Sequence, residues 1–304
     1  MGQIHVAGSV NIDVSVQVDK RPKPGETVEG DDLDFVLGGK GANQAIAASR
    51  LGSAVSMIGR VGTDRFGDEL LERLERENLS LTYLHQVADE PSGTALITID
   101  ADSENSIVIV PGANAALAPE DVTEVPVNAD DIAVSQFEIP QLTIRAFFER
   151  ARDAGATTIL NPAPADEFRE PILPLVDYLV VNETETLSYS DIDHQLPLTT
   201  AQIIETCENL RAHDSQVLVV TRGDDGVLAS TPTETITLDA HPVEPVDTTG
   251  AGDAFVGAFA TALDDKKRLK DALEWANAAG AAATTTKGAS SSLPTPTEIQ
   301  QLIP

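Results

Sequence analysis

Apolar residues recur along this chain in two rhythms. Residues 3–8 form a short apolar run closed by Gly8. Residues 11–18 alternate: Ile12, Val14, Val16 and Val18 point one way, with Asp13, Ser15 and Gln17 opposite. A period of two marks a half-buried strand. Arg21-Pro-Lys-Pro-Gly25 reads as a turn, and residues 27–37 as a returning extended segment. Gly38 and Gly39 then open a predicted helix with a face of Ala42, Ala45, Ile46 and Ser49, closed by Gly52. Residues 54–58 predict a buried strand, and residues 65–77 an amphipathic helix. Two extended segments, 94–100 and 106–110, flank the polar stretch Asp102-Ser-Glu-Asn105, which is a hairpin signature.

From about residue 131 the rhythm becomes regular. Predicted strands at 132–134, 157–160, 178–181 and 217–220 alternate with helices near 140–154, 167–174 and 200–212. Helices at 253–263 and 269–283 close the chain. Strands alternating with helices predict an α/β fold with a doubly wound, mainly parallel sheet, Rossmann-like and three-layered. No linker, repeat or low-complexity segment divides the 304 residues, so one domain over 1–304 is expected. The extended pieces at about 12–36 and 93–110 do not fit the strand–helix rhythm. They predict a small sheet that leaves the main body and returns twice, well placed to be a lid.

Composition narrows the function classes. Apolar residues make up 41% of the chain, enough for a sizeable core, and no run of them is long enough to span a bilayer. The first residues lack the basic start and long apolar stretch of a signal peptide, so a cytoplasmic location is expected. The 49 acidic and 20 basic residues leave a formal net charge of −29, which repels nucleic acid. The acids are spread along the whole chain, as on a folded, carboxylate-rich surface. Salt screens such self-repulsion, so a salt-loving host is expected. Cys207 stands alone and reads as a small apolar filler on a helix; the five histidines show no metal-ligand spacing.

Ligands of open α/β sheets bind beyond the carboxyl ends of the strands. Six segments there are polar or glycine-rich, starting at Gly8, Gln136, Asn161, Asn182, Thr221 and Asp247. In the last, Gly250 and Gly252 precede a helix, so backbone N–H groups can form an anion site, with Asp253 in the first turn as a base or as a plain helix cap. Gly38-Gly-Lys-Gly-Ala-Asn43 is a second glycine turn into a helix. It is neither a phosphate-binding Walker loop nor a dinucleotide fingerprint. Lys40 and Asn43 suit a polyol there; a structural turn is the competing reading. Asn11 and Asp13 share one side of their strand and suit vicinal hydroxyls, or are merely solvated. Asn182 and Glu185 either approach magnesium through water and phosphate or start a helix.

Together these segments resemble the ribokinase-like family of carbohydrate kinases over nearly the whole chain. Asp247-Thr-Thr-Gly-Ala-Gly-Asp-Ala-Phe-Val-Gly257 is similar to the family's C-terminal signature, and Gly38-Gly-Lys-Gly-Ala-Asn-Gln-Ala45 to its N-terminal one. Pro24-Gly-Glu-Thr-Val28, Pro111-Gly-Ala-Asn114, Asn161-Pro-Ala-Pro164 and Asn182-Glu-Thr-Glu185 also fit. The resemblance implies an ATP-dependent sugar kinase with a β-sheet lid, ribose being the expected sugar. It makes Asp253 the base acting on the primary hydroxyl and the N–H groups of Gly250, Ala251 and Gly252 the anion hole. Asn11, Asp13, Gly39, Lys40, Gly41, Asn43 and Glu138 would hold the sugar. Asn182, Thr221, Arg222, Gly223, Asp224, Gly226, Gly252 and Asn277 would line the ATP site, and Glu185 would help place magnesium. Asp247, Thr249, Ala283, Thr286, Gly288 and Ser292 match a potassium site, and the lid implies a homodimer. The resemblance leaves two rivals: a relative acting on a nucleoside, fructose or 2-keto-3-deoxy sugar acid, and a non-catalytic sugar-binding protein. The intact Asp253 and glycine pair argue against the second.

Overall fold

Nine strands form the main sheet of the computed structural model, which describes residues 2–101, 105–190 and 195–303. The strands in chain order are β1 (Ile4–Ala7), β2 (Asn11–Val18), β3 (Gly30–Gly38), β4 (Val55–Gly62), β5 (Ser80–Val87), β6 (Gly93–Ile99), β7 (Asn105–Val110), β8 (Ile132–Gln136), β9 (Thr157–Asn161), β10 (Tyr178–Asn182), β11 (Val217–Thr221), β12 (Val227–Ser230) and β13 (Thr235–Leu238). The helices are α1 (Lys40–Arg50), α2 (Arg65–Glu75), α3 (Pro119–Thr123), α4 (Gln141–Ala154), α5 (Glu183–Ser188), α6 (Thr200–Leu210), α7 (Ala251–Asp264), α8 (Leu269–Ala283) and α9 (Pro296–Leu302).

The main sheet runs β13-β12-β11-β10-β9-β8-β1-β4-β5. Every neighbouring pair from β5 to β11 is parallel, and β12 and β13 extend the edge antiparallel. Parallel strands are buried on both faces, and two hydrophobic clusters meet that need. One gathers Ala42, Ile46, Phe255 and Phe259 from α1 and α7; the other gathers Phe147, Phe148, Ile203 and Cys207 from α4 and α6. This is the doubly wound three-layer fold that the strand–helix rhythm predicts. Cys207 is buried as a core filler.

Four remaining strands form a separate sheet in the order β3-β2-β6-β7. It is mixed: β2 pairs antiparallel with β3 but parallel with β6, and β6 pairs antiparallel with β7. These strands coincide with the extended segments that broke the main rhythm. The turn expected at 102–105 lies, apart from Asn105, outside the described residues. One face of this sheet carries Asn11 and Asp13. The other carries Val14, paired with Phe35 and Leu96, and Leu96 paired with Val108. Phe35, Leu96 and Val108 are exposed on that face. Arg73 of α2 donates to the Phe35 carbonyl at 2.9 Å, which ties the small sheet to the body.

The helix expected near 167–174 does not form. Pro171 and Pro174 remove two amide donors from that stretch, and it holds only a 3-10 turn at Leu173–Leu175. Strand β5, the β12–β13 hairpin and the short helices α3 and α9 were not anticipated. Among the described residues no helix is long and apolar enough to cross a membrane.

Candidate functional site

Two helix N-termini meet at the carboxyl edge of the main sheet. Gly39, with φ of 89°, turns the chain from β3 into α1; a Cβ there would sit 2.9 Å from the Asn11 nitrogen and in a strained backbone region. Gly41 packs on the end of β1, where a Cβ would come within 2.5 Å of the Gly8 carbonyl carbon. That approach lets the Ala42 N–H reach the Ser9 carbonyl at 2.9 Å. Gly250, with φ of 79°, caps α7 without any side-chain cap. Asp253 therefore does not cap its own helix. Its Oδ2 accepts Asn43 Nδ2 and its Oδ1 accepts Gln44 Nε2, both at 3.0 Å, and the carboxylate is buried.

The Ala251 N–H turns back to the Thr248 carbonyl over a long 3.3 Å. Those of Gly250 and Gly252 have no protein acceptor among the described residues. A Cβ built on Gly252 meets nothing within 4 Å. Open space therefore lies directly at a helix N-terminus, where free N–H groups and the helix dipole favour an anion.

Across this space lie the other polar groups. Glu138 Oε2 accepts Ser9 Oγ at 2.5 Å and the Lys40 N–H at 3.0 Å. Asp13 lies over Gly38, where a Cβ would be 2.1 Å from its Oδ2. Burial pushes the Asp13 carboxyl up to about 7, and the charges of Glu138 and Asp253 add to that. Burial pulls Lys40 down, but Asp253, Glu138 and Glu185 outweigh it and hold the ammonium above its ordinary range. Asn11 is buried, and its Oδ1 accepts Asn114 Nδ2 at 2.7 Å. Asp13, Lys40, Glu138 and Asp253 thus lie close enough to interact, with Asn43 bonded to Asp253.

A neighbouring cleft of about 460 Å³ is lined by Asn182, Glu183, Thr184, Leu196, Pro197, Thr221 and Gly223. Asn182 and Glu185 form a reciprocal cap at the start of α5: Glu185 N–H to Asn182 Oδ1 at 2.7 Å, and Asn182 N–H to Glu185 Oε2 at 2.9 Å. Burial raises the Glu185 carboxyl, as does Asp253, while the Asn182 N–H and Lys40 oppose the rise. The other expected nucleotide residues lie off the walls of this cleft. Arg222 pairs with Asp225 at 3.3 Å, and Asp224 is exposed in the same turn. Gly226 packs where a Cβ would be 2.1 Å from the Leu238 carbonyl oxygen, and Asn277 on α8 donates to the Asp239 carbonyl at 2.8 Å.

Behind the Gly250 turn, the loop after α8 folds back. Asp247 accepts the Thr249 N–H on Oδ1 and the Gly288 N–H on Oδ2, both at 2.9 Å. These bonds, with Lys287 nearby, hold its carboxyl below the ordinary range although burial acts the other way. Ser292 Oγ bonds the Ala289 carbonyl at 2.8 Å and the Thr249 carbonyl at 3.4 Å, and the Thr286 N–H reaches the Ala283 carbonyl at 3.4 Å. Asp247, Thr249, Ala283, Thr286, Gly288 and Ser292 are thus brought into one oxygen-rich loop system. Among the described residues no group of three or more His, Cys, Asp or Glu side chains stands ready for a metal.

Ser9, Gln44, Asn114, Gln136 and Asn161 hydrogen-bond within this site; the sequence places them in rim or motif segments but assigns them no role. Gln44 carried a signal: Asn43, Gln44, Ala47, Ala48 and Leu51 recur at helical spacing, so two amides interrupt an otherwise apolar stripe.

The pfkB family carbohydrate kinase model matches residues 1–296. A Bacillus subtilis protein named ribokinase is 37% identical over 305 residues, covering 100% of both chains. A Salmonella typhi protein named deoxyribokinase is 35% identical, covering 96% of this chain and 95% of its own. The structure of Arabidopsis thaliana ribokinase complexed with ribose and ATP superposes with a TM-score of 0.88 at 30% identity, covering 99% of this chain and 98% of that one. The chain therefore belongs to the pfkB family of carbohydrate kinases.

Proposed function

We propose that this protein is an ATP-dependent kinase that transfers the γ-phosphoryl group to the primary (5-) hydroxyl of D-ribose, giving ribose 5-phosphate. The observation that carries the reading is Asp253: a buried carboxylate held by two amides, beside open space at a helix N-terminus. The names of the Bacillus and Arabidopsis relatives support ribose as the sugar. Asn11, Asp13, Gly39, Lys40, Gly41, Asn43 and Glu138 hold the sugar, with Asp13 and Glu138 accepting from its hydroxyls. The 5-hydroxyl gives its proton to Asp253, its oxygen bonds the γ-phosphorus, and the bond to ADP breaks. The N–H groups of Gly250, Ala251 and Gly252 meet the negative oxygens of the moving group.

Asn182, Thr221 and Gly223 line the nucleotide cleft, with the rest of the 221–226 turn and Asn277 on its flanks. Magnesium, when bound, neutralises phosphate charge; Glu185 is a single carboxylate and suits an ion held mainly by phosphate and water. The Asp247 to Ser292 loop system suits a potassium ion, whose field would stiffen the turn carrying Gly250. The β2–β3–β6–β7 sheet acts as the lid of one domain spanning the chain, excluding water that would compete as acceptor. Its exposed apolar face fits a second copy of the chain, and Val108→Glu is expected to convert a dimer to monomer in sedimentation. The acidic surface suits a cytoplasm rich in potassium.

Phosphoryl transfer from ATP to ribose, deoxyribose, fructose, ketodeoxygluconate and adenosine, with magnesium in high potassium chloride, tests the reading. Ribose is expected to dominate; a preference for deoxyribose would move the assignment to that sugar. Asp253→Asn is expected to lower turnover about a thousandfold while sugar and ATP still bind. Near-normal turnover would remove Asp253 from its role.

A further inference from the structure

We propose that Gln44 is a positioning residue that sets the orientation of Asp253; the inference rests on the reading of Asp253 as the base. Gln44 lies in the second turn of α1 and is 1% exposed. Its Nε2 donates to Asp253 Oδ1 at 3.0 Å and to Asn161 Oδ1 at 3.1 Å, and its Oε1 accepts Gln136 Nε2 at 2.6 Å. Asn161 is fixed in turn, because its Nδ2 donates to the Val180 carbonyl at 2.9 Å. The polarity of the group is self-consistent. An ionised carboxylate only accepts, so Nε2 must face Asp253; Oε1 then faces Gln136, which must offer its own Nε2.

A specific alternative makes this arrangement necessary. Asp253 is the third residue of α7, and an acid there commonly reaches back to the N–H of the N-cap residue. Here the N-cap residue is Gly250, so that bond would turn the carboxylate away from the sugar and occupy an N–H of the anion site. Asn43 on Oδ2 and Gln44 on Oδ1 hold Asp253 out of that state. The main chain is built for this reach: α1 and α7 are so close that a Cβ on Gly257 would lie 2.5 Å from Ala47 Cβ and 2.7 Å from the Gln44 carbonyl oxygen.

The test compares Gln44→Met, Gln136→Met and Asp253→Asn with the parent enzyme. Gln44→Met keeps the volume and removes the donor. Its kcat is expected to fall roughly ten- to hundredfold, the loss of one hydrogen bond to a charged group, with KM for ribose and ATP within about threefold. Gln136→Met leaves Gln44 in place but frees its amide to turn, so its kcat is expected between those of parent and Gln44→Met. A parental kcat in both variants, with Asp253→Asn inactive, overturns the positioning role and leaves the base intact. A rise in KM with unchanged kcat also overturns it. Full turnover by Asp253→Asn removes the base itself, which is a different failure. Should Gln44→Met not fold, a parental kcat in Gln136→Met still overturns the proposal.

Discussion

Replacing Asp13 by asparagine probes the electrostatics of the rim. Burial raises this carboxyl from 3.8 to about 7, with Glu138 and Asp253 adding repulsion. Across that window the folded protein keeps a proton that the unfolded chain has released. Stability therefore falls as pH rises towards the folded value and levels off above it, opposite in sign to a salt-bridged carboxylate. For this one group the loss between about pH 5.5 and about pH 8.5 is about 2 kcal/mol. With an m-value of about 3 kcal/mol/M in urea, that is about 0.7 M in the unfolding midpoint. Asp13→Asn has the same shape and cannot ionise. The remaining titrating groups are common to both proteins, so the difference between their midpoints at one potassium chloride concentration reports Asp13 together with its coupling to Glu138 and Asp253. The variant's midpoint is expected to gain about 0.7 M on the parent between the two pH values. A difference that stays flat would mean that Asp13 ionises normally in the fold, and the crowding assigned to it would be wrong. The same substitution is expected to weaken ribose binding, so stability and function oppose each other at this position.

Two further substitutions separate the parts of the site. Asn114 takes the Val10 N–H at 2.9 Å and donates to Asn11 at 2.7 Å, so Asn114→Ala is expected to raise KM for ribose about tenfold and leave KM for ATP within about twofold in initial-rate assays. Arg50 grips Glu77 at 2.6 and 2.9 Å and donates to the Ser290 and Leu293 carbonyls at 2.9 and 3.0 Å. Arg50→Ala is expected to cost about 2 kcal/mol in urea unfolding, discounted for its partial exposure, and to raise the potassium concentration needed for half activation.

The main sheet was legible because buried parallel strands must be apolar throughout and their helices amphipathic, and both patterns survive in the sequence from residue 131 onward. The second sheet was legible by exception, since residues 11–18 alternate where a parallel core strand would not. Strands β5 and β13 lie at the two edges of the main sheet, where burial is incomplete and the apolar signal is diluted by residues such as Thr82, His85, Thr235 and Thr237, while β12 is buried throughout but only four residues long. At the site, glycines and acids announced themselves through the turns they permit and the charge they carry. Gln44 did not: its bonding partners Gln136, Asn161 and Asp253 lie 92, 117 and 209 residues away, and only the fold brings them together. Neutral amides leave no charge pattern; the helical stripe marks Gln44 as out of place, but its partners emerge only in three dimensions.

A net charge of −29 looks hostile to a nucleotide, and the rim itself gathers Glu138, Glu185 and Asp253 around the ammonium of Lys40, with Asp13 beside Glu138 and Asp253. In the proposed site, part of the attraction for phosphate comes from groups that carry no net charge: the N-terminus of α7 and the N–H groups of Gly250 and Gly252. These act at hydrogen-bond range, where salt screens little. The repulsion comes from carboxylates spread over the surface, most of them beyond the Debye length of about 3 Å at 1 M salt. Rising salt therefore removes the surface part of the opposing field, leaves the rim carboxylates, and spares the attraction. Screening is indifferent to which salt supplies it, whereas a potassium ion held by the Asp247 to Ser292 loop system, as proposed, would be selected by size and coordination. Any effect of ionic strength should fall on nucleotide affinity, and any effect of potassium itself on the turn that presents Gly250. A dipole-built phosphate site is thus the kind that an acidic surface can carry without losing its ligand.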